Sequence, residues 1–189
     1  MTVLSDDDIR RLSEAVRMIE PFDDTRLVKV PGTISWGVSS YGYDMRLADD
    51  FLIFCGAGDE PAVLDPKRFD SGLMTEVSGG PCTVPPGGYA LGRSLEYFRI
   101  PRNVLVVVFG KSTYARCGLL VNVTPLEPEW EGYVTVSLVN PLRHPVLVYP
   151  REGIAQLVFL RAAVPCSISY RDKAGRYQAQ RKITPPTVQ

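Results

Sequence analysis

Two kinds of apolar spacing follow one another along the chain. Near the start, Ile9, Leu12, Val16 and Ile19 recur at helical intervals until Pro21 interrupts them. Ser5 followed by Asp8 makes a capping-box-like opening to that stretch, so one N-terminal helix is expected within residues 1–22. From about Leu27 the apolar positions come instead in short runs cut by Gly, Pro, Asn and Asp, at 51–54, 89–91, 104–109, 119–123, 133–139, 146–149 and 154–160. Many short strands between turn signals predict a mainly β sandwich or barrel rather than alternating strands and helices. Sixteen prolines and sixteen glycines suit that reading, and Pro85-Pro86-Gly87-Gly88 is one predicted corner.

A length of 189 residues suits a single domain, 1–189. The last stretch, 172–189, is polar and basic and is expected to be a mobile tail, either solvated or closing over an anion. Lys plus Arg (21) equal Asp plus Glu (21), so global charge gives no case for nucleic-acid or membrane-surface binding. The acidic start has no secretory pattern, and no apolar stretch approaches the roughly 20 residues of a membrane span; a cytoplasmic protein is expected. Cys55, Cys82, Cys117 and Cys166 lie far apart with no CxxC pair, and His144 is the one histidine, so no zinc or other protein-held metal is expected.

The segment Gly110-Lys111-Ser112-Thr113-Tyr114-Ala115-Arg116-Cys117-Gly118 follows one apolar run and precedes another. It offers backbone N–H groups, two hydroxyls, an ammonium and a guanidinium, a combination that suits a polyphosphate. It lacks the spacing of a Walker loop, and a surface loop carrying a chance Lys and Arg is an equal reading.

Five segments in order carry a resemblance: SSYGYDMR (39–46), EYFRIPRNV (96–104), GKSTYARCGLLVNVTPLEPEWEGYVT (110–135), EGIAQLVF (152–159) and SYRDKAGRYQAQR (169–181). Together they resemble the dCTP deaminase family, relatives of dUTPase. The resemblance implies a dUTPase-like distorted β-barrel or jelly roll, assembled as a homotrimer with sites at the subunit interfaces. It also implies a deoxynucleoside triphosphate ligand with Mg²⁺ on its phosphates. Lys111, Ser112 and Thr113 would lie along the triphosphate, within a nucleotide-binding turn that includes Tyr114 and Ala115. Arg116 would reach the reaction centre of a neighbouring subunit, and Ser112 would help position the attacking water. Thr135, Val136 and Ser137 would present the base-binding face, with Gln156, Tyr170 and Gln180 at further nucleotide-contacting positions and the tail closing over them. The zinc-dependent deaminases, which activate water on a metal, are a different class.

In the family one glutamate does the proton work, within a strand motif V-T-L-E-F-S-N. Here the matching stretch is Val134-Thr135-Val136-Ser137-Leu138-Val139-Asn140, so Ser137 stands at the glutamate position. A serine hydroxyl cannot replace a carboxylate as general base, and such groups contribute about 10²–10⁴-fold, so ordinary deamination should be severely impaired. Glu127, Glu129 and Glu131 are family-typical acids, Asp44 reads as structural, and His144 as part of a hairpin loop. By strand parity Ser137 shares a face with Tyr133, Thr135 and Val139, so Thr135 and Ser137 should form one polar ledge. The scaffold then leaves open a working deaminase, a nucleotide-binding regulator without turnover, or an enzyme repurposed toward a modified nucleotide or another small molecule. dUTPase activity lacks its aspartate motif here.

Overall fold

The computed structural model describes residues 1–25, 30–54 and 63–187; the expected onset of strands at Leu27, Cys55 and the last two tail residues lie outside them. In chain order the elements are β1 (Thr2–Val3), α1 (Asp6–Val16), β2 (Ile19–Glu20), β3 (Gly37–Ser39), β4 (Gly42–Phe54), a 3₁₀ turn (Ser71–Leu73), β5 (Met74–Ser78), β6 (Cys82–Val84), β7 (Tyr89–Arg99), β8 (Val104–Gly110), α2 (Ser112–Arg116), β9 (Leu120–Asn122), β10 (Glu131–Val139), β11 (Val146–Val148) and β12 (Gly153–Arg161). The fold is mainly β, as the run pattern predicts.

The helix opens with the expected capping box, Ser5 and Asp8 each accepting from the other's backbone N–H. It ends sooner than the apolar spacing predicts. Arg17 takes the left-handed conformation (φ 51°), Val16 is exposed, and Met18 and Ile19 turn into the core, where Ile19 pairs with β7 instead of continuing the helix.

The main sheet runs β1-β12-β4-β7-β10-β9, with β8 beside β12, β3 and β5 beside β4, and β2 beside β7. Its far end bends back: Val106 of β8 and Leu126 exchange backbone hydrogen bonds of 3.1 and 2.9 Å, which curls the sheet toward a barrel. Tyr43, Phe51, Phe98, Leu138, Leu157 and Phe159 fill the interior. Close strand approach requires glycine at 42, where a Cβ would sit 2.5 Å from the Leu157 carbonyl oxygen. The predicted Pro-Pro-Gly-Gly corner is a turn closed by Gly88 N–H to Pro85 O at 2.9 Å.

The loop 141–145 is not a hairpin. β10 belongs to the main sheet, whereas β11 pairs with β6 in a separate two-stranded sheet. The crossing is held by the Asn140 side-chain amide, which donates to the carbonyls of Val84, Pro85 and His144 at 2.8–3.0 Å. His144 itself is exposed.

A bulge in β7 shapes the sheet where the site lies. Tyr133 pairs with Tyr97 and Thr135 with Arg93, so one β10 residue faces three on β7. Ser94 bridges the gap: its hydroxyl accepts from Val134 N–H (2.8 Å) and donates to the Glu96 carbonyl (2.6 Å). The bulge places the Glu96 side chain in the core against Arg46, whose Nε and backbone N–H donate to the carboxylate at 2.7 and 3.0 Å. Ser94→Ala leaves the Val134 N–H without a partner and is expected to cost about 1–3 kcal/mol, measurable by urea denaturation.

Candidate functional site

β10 carries the site because its alternation holds throughout: Val134, Val136 and Leu138 are buried, while Tyr133, Thr135, Ser137 and Val139 are half-buried on the other face. Beside it lies a cavity of about 240 Å³, lined by β7, β10, the segment 123–130 and the tail. Thr135, Tyr170 and Gln180 meet there, although they lie up to 45 positions apart in the chain. Gln180 Nε2 donates to Tyr133 O at 2.6 Å and to Thr135 Oγ1 at 3.3 Å, and the Thr184 amide donates to the same Oγ1 at 3.3 Å. Gln180 Oε1 is buried and has no protein partner among the described residues. A buried acceptor of that kind suits a ligand donor.

The tail, expected to be mobile, is packed in place as far as it is described. Tyr133 N–H donates to Gln180 O (3.1 Å), Ala179 N–H to Glu131 O (2.9 Å) and Trp130 Nε1 to Tyr177 O (2.9 Å), and Ile183 is buried. Gly175 lies against the Tyr170 ring, where a Cβ would come within 2.1 Å of it. Arg102 holds the start of the tail, donating to Cys166 O and Ser167 O and pairing with Glu129 at 2.6 Å and Asp172 at 2.7 Å. Arg102→Met is expected to speed trypsin cleavage after Arg171, Lys173 and Arg176 severalfold with a small fall in melting temperature, because these pairs lie at the surface, the one to Glu129 part-buried and the one to Asp172 exposed.

The polar ledge expected from Thr135 and Ser137 is divided. Thr135 lines the cavity, but Ser137 does not; Tyr89, on β7, does. Burial pushes the Tyr89 phenol above its ordinary pKa and the Ser137 hydroxyl works against this, so the phenol is neutral near pH 7. Strand runs alone do not reveal Tyr89; its place follows from the register, in which it pairs with Val139 and sits diagonally from Ser137. Val136 turns its side chain into the core, away from the cavity. Glu127 is the carboxylate among the residues lining the cavity, and Lys173 holds it at 2.7 Å.

The remaining candidates lie on a different face. Lys111 caps the short helix α2 and pairs with buried Asp44 at 2.5 Å, as the structural reading of Asp44 expects. Burial pushes the Asp44 carboxyl up, and Lys111 counteracts it. Ser112, Thr113, Ala115 and Arg116 are exposed along the turn, whereas Tyr114 is buried, its hydroxyl accepting the Tyr149 N–H at 2.9 Å. Gln156 stands opposite Asp44 in the β12–β4 register and donates to Ser39 Oγ at 3.5 Å. None of these residues lines the cavity holding Thr135, Tyr170 and Gln180. Among the described residues no group of three or more His, Cys, Asp or Glu side chains is placed to hold a metal ion, and no helix is long and apolar enough to cross a membrane.

Comparison with known proteins bears on what this arrangement belongs to. A dCTP deaminase from Azotobacter vinelandii is 51% identical over 189 residues, covering 98% of this chain and 99% of the relative. One from Chromohalobacter salexigens is 50% identical over 188 residues, again covering 98% and 99%. Among solved structures, the 2'-deoxycytidine 5'-triphosphate deaminase from Agrobacterium tumefaciens aligns with a TM-score of 0.58 at 17% identity over 82% of this chain. This chain spans only 45% of that protein's length, and the likeness speaks to the fold. A family model described as dCTP deaminase-like matches residues 3–162. With that match and full-length identity near one half, the chain belongs to the dCTP deaminase family.

Proposed function

We propose that the chain binds a pyrimidine deoxynucleoside triphosphate between the subunits of a homotrimer and deaminates dCTP far more slowly than its relatives. The observation that carries this reading is the chemistry around position 137. Ser137 and, diagonal to it on β7, Tyr89 present neutral hydroxyls, and the carboxylate lining the adjoining cavity, Glu127, is paired with Lys173 at 2.7 Å. Hydrolytic deamination needs a group that takes a proton from water and delivers one to the departing ammonia. Neither hydroxyl is basic enough near pH 7 for the first step, while the partnerless Gln180 Oε1 and the Thr135 hydroxyl remain suited to holding a ligand.

The division of the candidate residues supports a site completed by a second subunit. Ser112, Thr113 and Arg116 are exposed on one turn, opened by Lys111 with its ammonium paired to Asp44, that the chain's own cavity does not use. Phe109 and Leu120, which flank that turn in sequence, are 56% and 58% exposed and supply apolar surface for a subunit contact. In this reading the turn of one subunit meets the triphosphate held over its neighbour's cavity, Lys111 and Arg116 supply charge, and the hydroxyl of Ser112 orients water. Mg²⁺ would be carried on the phosphates.

Equilibrium binding of dCTP and dUTP with Mg²⁺, beside chromatographic detection of dUTP, tests the proposal. Saturable binding with dUTP formation at least about 100-fold slower than in the Azotobacter vinelandii relative is expected. A rate comparable to that relative refutes the argument from the wall, and absence of binding refutes the nucleotide reading.

A further inference from the structure

Resting on the nucleotide reading above, we infer that Arg181 and Tyr97 are positioning residues: the guanidinium stacked on the ring seats the tail and so holds Gln180 at the cavity. Gln180 lines the cavity, whereas the next residue, Arg181, does not; its guanidinium lies over the Tyr97 ring, 4.5 Å from the centroid. Up to Gln180 the tail is tied to β10 by its backbone, Ala179 N–H donating to Glu131 O at 2.9 Å and Gln180 O accepting from Tyr133 N–H at 3.1 Å. The next tie to β10 is the Thr184 amide on Thr135 Oγ1. Between these two anchors, the Arg181 stack and the buried Ile183 side chain hold the segment down.

Tyr97 is a fixed platform. It is buried, its ring meets Tyr133 edge-on at 5.2 Å, and Arg99 also lies over it at 4.6 Å, itself held by Glu20 at 2.8 Å and Arg17 O at 3.1 Å. The Tyr97 hydroxyl is buried with no hydrogen-bond partner among the described residues, so the ring face is what it offers the tail. Arg181 is exposed and makes no hydrogen bond or ion pair among the described residues, which leaves the stack as its tie to the sheet. A planar guanidinium suits that contact, through both the ring quadrupole and stacking. Without it the segment after Gln180 loosens, and the bonds that orient the Gln180 amide, to Tyr133 O and Thr135 Oγ1, are made for a smaller fraction of the time. The apparent affinity of a ligand that needs Gln180 in place falls with that fraction.

Hydrogen exchange, beside isothermal titration with dCTP and Mg²⁺, tests the inference on the full chain and on Arg181→Gln, Tyr97→Leu and Tyr97→Phe. Arg181→Gln and Tyr97→Leu are each expected to speed exchange of the Tyr133, Ala179 and Thr184 amides about two- to tenfold, with the amides of β12 still protected. Both are expected to weaken dCTP binding by about two- to tenfold. Tyr97→Phe keeps the ring and is expected to match the natural protein in both measurements. In a Gln180→Ala background Arg181→Gln is expected to weaken binding by less than about twofold further, because its effect runs through Gln180. Equal losses in the two backgrounds would mean that Arg181 touches the nucleotide itself and would overturn the positioning role. Unchanged exchange of the tail amides, or faster exchange with unchanged affinity, overturns it as well; in all three cases nucleotide binding stands. If the natural protein does not bind dCTP, the underlying reading fails and this inference with it.

Discussion

On the proposed reading, replacing Ser137 by glutamate is expected to raise dUTP formation from dCTP by about 100-fold or more, the contribution typical of a general base. Position 137 is half-buried on the same strand face as Thr135, between Leu91 of β7 and the exposed Asn122 of β9, so a longer side chain there has a route toward solvent past Asn122. Tyr89 limits the gain. Tyr89 lies diagonally from position 137 in the β7–β10 register, and a hydrogen bond that its phenol donates to a carboxylate there would stabilise the charged form and lower its basicity. The double variant Ser137→Glu with Tyr89→Phe is therefore expected to turn over faster than Ser137→Glu alone. Steady-state rates on dCTP with chromatographic separation of dUTP decide both points. Equal, undetectable turnover by both variants, with dCTP binding retained, would show that the chain lacks more of the catalytic machinery than one carboxylate.

The second large effect concerns stability. Glu96 is fully buried, and its carboxylate takes two N–H donors from Arg46 and the Tyr43 hydroxyl at 3.3 Å. Burial pushes this carboxyl well above its ordinary range, and the Arg46 charge works against that shift. Glu96→Gln removes the fully buried charge and leaves Arg46 with the more distant Asp23, at 3.7 Å, as its charged partner; breaking a buried pair typically costs about 3–5 kcal/mol. For a domain of this length that corresponds to a fall of roughly 6–20 °C in melting temperature. Replacing both partners, Glu96→Leu with Arg46→Met, is expected to recover a large part of the loss, because the cost lies in the unpaired charge. Calorimetry on Glu96→Leu, on Arg46→Met and on the double variant separates the outcomes. Additive losses would mean that the pair does not act as a unit.

Most strands were legible because their apolar runs are bounded by turn residues, as at β8, β10, β11 and β12. β4 was legible only at its end. Its first half, Gly42 to Arg46, interleaves Asp44 and Arg46 with core residues, and only the ion pairs with Lys111 and Glu96 make those charges compatible with burial. β5 has an exposed face and few apolar residues, so no run marks it. The helix was overextended because Ile19 continues the spacing, although a left-handed residue at Arg17 had already ended it.

The candidate site divides in the same way. Thr135, Tyr170 and Gln180, named through resemblance, do share one cavity, while the turn from Lys111 to Arg116 lies elsewhere. Tyr89 escaped notice because its importance depends on cross-strand register with β10, which a run of apolar residues does not encode.

The cavity's outer wall comes from the tail, whose Gln180 and Thr184 close onto Thr135 of β10. During synthesis on the ribosome this wall emerges after every strand of the sheet. A small molecule that binds there adds to stability only once the wall is in place. Stabilisation by a ligand at this wall therefore comes after the sheet's own packing and depends on the tail being seated against β10.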